Sequence, residues 1–316
     1  MNSRRNLRML WLGAAKRVSL FETFEAAAQR MGIALIGVTV ETSPLVPLGS
    51  KCEVVIGPRF QSSEFVPHLL DTVVTHGIDV VIPFMDSATV ALAAMAPQLR
   101  SIGCLPLVSD HGLCVAMEDK CASEQWFDQH AIPRPLAQTF PMIVKSRLGF
   151  GARDQAIVRD RSELDVFLRG KNADHYIVQE LLEGSEYTID AYVDGTGKML
   201  GAMSRLRVTV VGGEVESSQA QYAQHAMPFV HQALAVPGWR GPITLQFFES
   251  ANGDARIIEI NPRFGGGAPH SIHAGLPLPE WVISETLGLP LQPCAELNYN
   301  SFMTRYRKEV FYDVGR

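Results

Sequence analysis

At 316 residues, 47% hydrophobic and 19% charged, the chain can bury a core in two or three compact units and is too apolar to stay disordered. Its 28 Lys and Arg against 33 Asp and Glu give a formal charge of −5, which argues against a broad nucleic-acid-binding surface. Five cysteines, at 52, 104, 114, 121 and 294, form no C-x-x-C pair, so a reducing, cytoplasmic setting is expected rather than a zinc site or disulfide framework.

Arg4-Arg5 precedes an apolar stretch, Met9 to Ala15, that holds Gly13 and is closed by Lys16 and Arg17. That stretch is short for an export signal, so Leu7 to Leu12 is read as a first buried strand. No apolar run approaches the ~20 residues that span a bilayer, and no membrane partner is expected. A helix follows from Phe21 to Met31, its apolar face set by Phe21, Phe24, Ala28 and Met31. Strands at 35–40, 53–56 and 79–83 then alternate with helices at 64–76 and 87–96. Strict alternation predicts a parallel sheet covered on both faces, with its ligand crevice at the carboxyl ends of the strands. Gly13-Ala14-Ala15 is not G-x-G-x-x-G, which speaks against a nicotinamide-dependent oxidoreductase.

The pattern changes near Asp110. A helix is predicted at 118–130, with Asp119 near its start, and Ile132-Pro133-Arg134-Pro135 breaks the chain. Short strands flanking one helix (162–169) make 141–192 a small α+β unit. Long strands are expected at 198–207 and 208–216, with Gly212-Gly213 as a turn, then a helix at 219–235. Strands 243–249 and 256–261, joined through Ala251-Asn252-Gly253-Asp254, read as a hairpin.

That hairpin carries the most informative stretch, Ile258-Glu259-Ile260-Asn261-Pro262-Arg263 before Phe264-Gly265-Gly266-Gly267. Glu259 and Asn261, two apart on a strand, share a face and offer two oxygen donors suited to Mg²⁺. Pairing across the turn would add Gln246, and Arg263 would add a fork of donors suited to phosphate. Lys145 ends a strand before the glycine loop Gly149-Phe150-Gly151-Ala152, either a phosphate-binding loop or a plain hairpin turn. Gln179-Glu180-Leu181-Leu182-Glu183-Gly184-Ser185-Glu186 is either a strand edge for an adenine rim or a solvated acidic loop. Arg205 and Arg207 share a strand face and could hold an acidic substrate or a phosphoryl group, or face solvent. His270 and His273, after the glycine run, are candidates for a substrate pocket, with Asp86.

In this order the pieces resemble the ATP-grasp superfamily, above all the ATP-binding halves of carbamoyl-phosphate synthase large subunits and short stand-alone ligases similar to them. The resemblance covers most of the chain, to about residue 290. It implies a mixed α/β and α+β architecture: a Rossmann-like pre-ATP-grasp domain (1–115), a small lid subdomain (116–192) and a larger C-terminal lobe (193–316). It assigns Lys120, Lys145, Gly149, Gly151 and Ala152 to the nucleotide phosphates, and Glu180, Leu182 and Glu186 to adenine and ribose. Gln246, Glu259 and Asn261 become metal ligands and Arg263 the phosphate-stabilising arginine; Arg205 and Arg207, from their strand face, are catalytic candidates beside it. The implied cofactors are ATP and two Mg²⁺, replaceable by Mn²⁺, and the partners are a small carboxylate and an amine, with a homodimer as the default assembly. The second ATP-binding half and any glutaminase are missing, so complete carbamoyl-phosphate synthesis is not expected. The activity implied is ATP-dependent ligation through an acyl phosphate. The alternatives are an ATP-binding protein without that chemistry and a carbamoyl-phosphate synthase-like half-reaction.

Overall fold

A computed structural model describes residues 5–149 and 154–312, and among them the strands form three sheets. The first third runs β1 (Arg5–Leu12), α1 (Val18–Arg30), β2 (Ile33–Glu41), β3 (Glu53–Ile56), α2 (Phe65–His76), β4 (Val80–Pro83), α3 (Asp86–Ser101) and β5 (Leu105–Pro106). Its sheet is parallel throughout, in the order β3-β2-β1-β4-β5. The chain builds outward from β1 on one side and then from β4 on the other. The β1–β4 junction is therefore the topological switch point, and its crevice opens at the carboxyl ends of those strands. An aromatic cluster ties this end to the distant 262–267 loop. Trp11 stacks on Phe84 at 4.4 Å, and Phe84 stacks on Phe264 at 5.7 Å.

The middle of the chain forms α4 (His111–Glu118), α5 (Lys120–Gln129), β6 (Met142–Ser146), β7 (Gln155–Val158), α6 (Arg161–Leu168) and β8 (Tyr176–Glu180). Its three-stranded sheet, β7-β6-β8, packs on a small apolar cluster in which Met142, Val144, Val158 and Leu164 are buried. Among the described residues, so small a cluster holds the unit weakly to itself, which suits a part that moves.

The third sheet contains β9 (Ser185–Val193), β10 (Met199–Val211), β11 (Glu214–Ala220), β12 (Gly241–Glu249), β13 (Ala255–Asn261) and β14 (Phe302–Thr304), in the order β13-β12-β9-β10-β11-β14. Helices α7 (Met227–Leu234), α8 (Ala268–His273) and α9 (Leu278–Leu287) complete the fold. One sheet face is apolar: Tyr187, Ile189, Ala191, Leu245, Phe247, Ile257 and Ile260 pack with Val230 and Leu234 of α7. Alternation then forces the other face to carry Glu186, Thr188, Asp190, Thr244, Gln246, Glu259 and Asn261. A register shift between Gln246 and Phe247 makes this work, pairing Gln246 with Glu259 but Phe247 with Ile257. The extra residue, Ile258, is a β-bulge that aims Glu259 at the polar face while Ile257 keeps its place in the core.

The sequence reading needs several corrections. Strand β10 continues to Val211, because its partner β11 begins only after the Gly212-Gly213 turn. The helix expected at 219–235 is only α7; Gln219 and Ala220 end β11, paired with Leu206 and Arg205. Strand β9, expected in the small central unit, pairs instead with β10 and β12. As a proposal, the division 1–115, 116–192 and 193–316 thus takes its second boundary nearer Gly184. There φ is +138°, and a side chain would collide with the carbonyl oxygen of Glu249. No helix among the described residues is long and apolar enough to cross a membrane.

Candidate functional site

The polar sheet face is organised in rows. Glu259, Gln246, Thr188 and Arg205 stand opposite one another across β13, β12, β9 and β10. Asn261, Thr244 and Asp190 form the next row. Directly paired side chains start ~5 Å apart at Cβ, so Gln246 and Glu259 can share one cation, with Asn261 two residues along. Thr188 is 2% exposed, and its hydroxyl, in the same row, has no hydrogen-bond partner among the described residues.

Asn261 is 4% exposed, and its Oδ1 accepts from Arg263 Nη2 at 3.0 Å. Arg263 also donates to Asp86, Nε to Oδ1 at 2.6 Å and Nη2 to Oδ2 at 3.1 Å. Asp86 opens α3 just past the carboxyl end of β4, so this bidentate pair joins the switch point of the first sheet to the donor hairpin. Asp86, proposed from sequence for the substrate wall, instead holds the arginine.

Lys145 follows buried Val144 on β6 and so lies on the opposite side of that strand. Burial depresses its ammonium pKa, while Glu259 is the leading opposing charge. Lys120 donates from Nζ to the Gly149 carbonyl at 3.0 Å, and its backbone N–H donates to the Arg147 carbonyl at 3.2 Å. Asp119 caps α5 through the Cys121 N–H and grips Arg147, whose guanidinium holds the Asp119 carboxyl below its ordinary pKa. Two lysines are thereby presented at the stalk of the glycine loop. Gly149 belongs to that stalk, whereas Gly151 and Ala152 lie outside the described residues.

At the end of β8, the Glu180 N–H donates to the Leu136 carbonyl at 2.8 Å and its Oε1 accepts from the Leu136 N–H at 3.1 Å. Glu180 is thus committed to the preceding segment. Glu186 pairs with Arg207 at 3.1 Å. Burial raises its carboxyl pKa, and Arg207 is the first opposing influence.

Three assignments change. Arg205 faces neither solvent nor a substrate pocket: it is 1% exposed, donating from Nε to Asp190 Oδ2 at 3.1 Å. Arg207 is engaged by Glu186 and donates from Nη2 to the Gly213 carbonyl, so it braces Glu186. His270 is 2% exposed and does not line a pocket; Ser218 and Ser301 hydroxyls hold its ring at 2.7 and 3.0 Å. His273 is exposed. The sequence reading also missed Thr188 and Asp190. Asp190 gathers Arg205, Thr244 at 3.0 Å and Ser271 at 2.7 Å. The signal was present in Glu186-x-Thr188-x-Asp190, polar residues alternating with Tyr187, Ile189 and Ala191.

Residues 172–308 match a family model described as "ATP-grasp in the biosynthetic pathway with Ter operon". The fold is similar to an N5-carboxyaminoimidazole synthetase from Staphylococcus aureus complexed with ADP, at TM-score 0.75 and 14% identity over 96% of this chain and 83% of that one. The chain has the ATP-grasp fold. An N5-carboxyaminoimidazole ribonucleotide synthetase from Thermus thermophilus is similar at TM-score 0.72 and 19% identity, covering 94% of this chain and 82% of that one. An L-amino acid ligase from Bacillus licheniformis is similar at TM-score 0.69 and 17% identity, over 90% and 75%. No curated protein matches by sequence. At such identities the neighbours show the fold alone; in this structure the Asp86–Arg263 pair joins the switch point to the 246–261 hairpin, and Lys145 feels the charge of Glu259.

Proposed function

We propose that this chain is an ATP-dependent ligase that activates a carboxylate as an acyl phosphate for attack by an amine. The observation that carries the reading is the direct pairing of Gln246 with Glu259, beside Asn261. The donor set fits a hard cation: one carboxylate and two amide oxygens, with the Thr188 hydroxyl, unpartnered among the described residues, in the same row. A single carboxylate holds Mg²⁺ weakly, so the cation arrives with the nucleotide, and Gln246, Glu259 and Asn261 complete its shell. Bound Mg²⁺ supplies charge neutralisation on phosphate oxygens.

The remaining residues position the reactants. Lys120 and Lys145 meet the phosphates as point charges, and Glu186, braced by Arg207, accepts from the ribose. Leu182 lies where the chain leaves β8, and among the described residues its backbone makes no hydrogen bond, leaving it available to an adenine edge. Arg263, fixed by Asp86, presents its guanidinium beside Asn261. A substrate carboxylate oxygen attacks the γ-phosphorus and ADP leaves. The amine nitrogen then attacks the acyl carbon and phosphate leaves. The weakly held small unit closes over the mixed anhydride and excludes water.

The test is an ADP-release screen of carboxylate and amine pairs with Mg²⁺. A pair that releases ADP in step with amide formation supports the reading, and Glu259→Gln lowers that rate by more than ~10²-fold with the fold intact. ATP binding without ADP release across the panel would instead favour a binding protein.

A further inference from the structure

Gly266 lies under two arginines from distant parts of the chain. A side chain there would meet Arg17 Nη1 at 2.9 Å and Arg305 Nη2 at 3.5 Å. Arg17 ends the loop leaving β1 at the switch-point crevice, and Arg305 follows β14 at the far edge of the third sheet. Arg305 donates to the Gly266 carbonyl and lies 3.1 Å from Glu214, while Arg17 is 4.0 Å from that same carboxylate. One Glu214, with a side chain 59% exposed, thus serves two guanidiniums that are 21% and 26% exposed.

Other arginines nearby each have a carboxylate of their own. Arg263 has Asp86, Arg207 has Glu186, and Arg205 has Asp190. The Arg17–Arg305 pair is the exception, two cations on one shared and mostly solvated carboxylate. Burial is the largest influence lowering the pKa of Arg17, and Arg263 and Arg305 both add to it against Glu214. Beneath the adjoining Gly267, Arg205 Nη1 is buried without a hydrogen-bond partner among the described residues. Sheltered positive charge in excess of its counter-charges is costly unless an anion completes it.

We propose that Arg17 and Arg305, facing each other over Gly266, bind a second anionic group of the substrate, a carboxylate remote from the one that is phosphorylated. The favoured acid is then a dicarboxylate, or an amino acid with an acidic side chain, held with its reacting end toward Arg263 and the metal hairpin. This rests on the ligase reading for its meaning, yet it is measurable by binding alone.

The experiment is isothermal titration calorimetry with Mg²⁺ and a non-hydrolysable ATP analogue. It compares chain-matched acids from three to six carbons, such as succinate with butyrate and glutarate with valerate. At least one diacid should bind about tenfold or more tightly than its monoacid, the scale of one charge-assisted hydrogen bond. Arg17→Met and Arg305→Met should each erase that ratio, and Arg17→Lys should restore part of it, with circular dichroism confirming the fold. Equal affinities, no saturable binding by any acid, or a ratio unchanged in both Met variants would overturn the proposal. Diacid selectivity without ADP release in the separate turnover screen would leave this pocket standing and remove the ligase reading.

Discussion

His270 gives a quantitative test of how the sheet meets the α8 segment. Its ring is almost fully buried between Ser218 and Ser301, and burial, with Arg205 and His273 nearby, lowers its pKa to about 4. In an unfolded chain the ring titrates near ~6.5. The folded state therefore excludes a proton that the unfolded state accepts, and stability contributed by the neutral ring is fully present above the unfolded pKa and declines as pH falls from ~6.5 toward 4. Between pH 7 and pH 5 that linkage amounts to roughly 2 kcal/mol. Urea denaturation of the wild type and of His270→Asn at both pH values isolates it, because other titrating groups are common to both proteins. The wild type should lose roughly 2 kcal/mol more than the variant on acidification. Parallel losses would refute the claim that a neutral imidazole is sealed between the two serines.

Other expectations follow from particular contacts. Asp86 and Arg263 form a bidentate pair with side chains 22% and 14% exposed, so a double-alanine cycle should show about 1–3 kcal/mol of coupling by denaturation. Additive single-mutant losses would contradict that pairing. Arg263→Lys should keep little of the coupling, since an ammonium cannot make two parallel bonds to one carboxylate. Gly184→Ala should cost more than about 1 kcal/mol, because the position combines φ of +138° with close passage over the Glu249 carbonyl; an unchanged urea midpoint would count against that geometry.

Much of the fold was legible because its signals are local. Val80-Val81-Ile82 and Glu53-Val54-Val55-Ile56 are short apolar runs between helical periods, and both are strands of the parallel sheet. The donor hairpin was legible because a loop of Ala251, Asn252, Gly253 and Asp254 joins two runs of β-favouring residues. The bulge at Ile258 was not, because only the cross-strand register shows which of three consecutive isoleucine and glutamate positions turns to which face. Gln219 and Ala220 were misjudged for a similar reason: β10 and β14 as partners outweigh local helix preference. Charge pairing was the least legible feature. Arg205, Arg207 and Arg263 look alike in sequence, and only the folded chain brings each to Asp190, Glu186 or Asp86.

The central claim is that Gln246, Glu259 and Asn261 hold a divalent cation against a nucleotide. Mn²⁺ titration followed by electron paramagnetic resonance, with and without a non-hydrolysable ATP analogue, tests it without knowledge of the substrate. Nucleotide should be required for tight Mn²⁺ binding, and Glu259→Gln should weaken that binding by more than about tenfold, the loss of one charged oxygen ligand. A Glu259→Gln protein that binds Mn²⁺ and nucleotide as the wild type does would contradict the account.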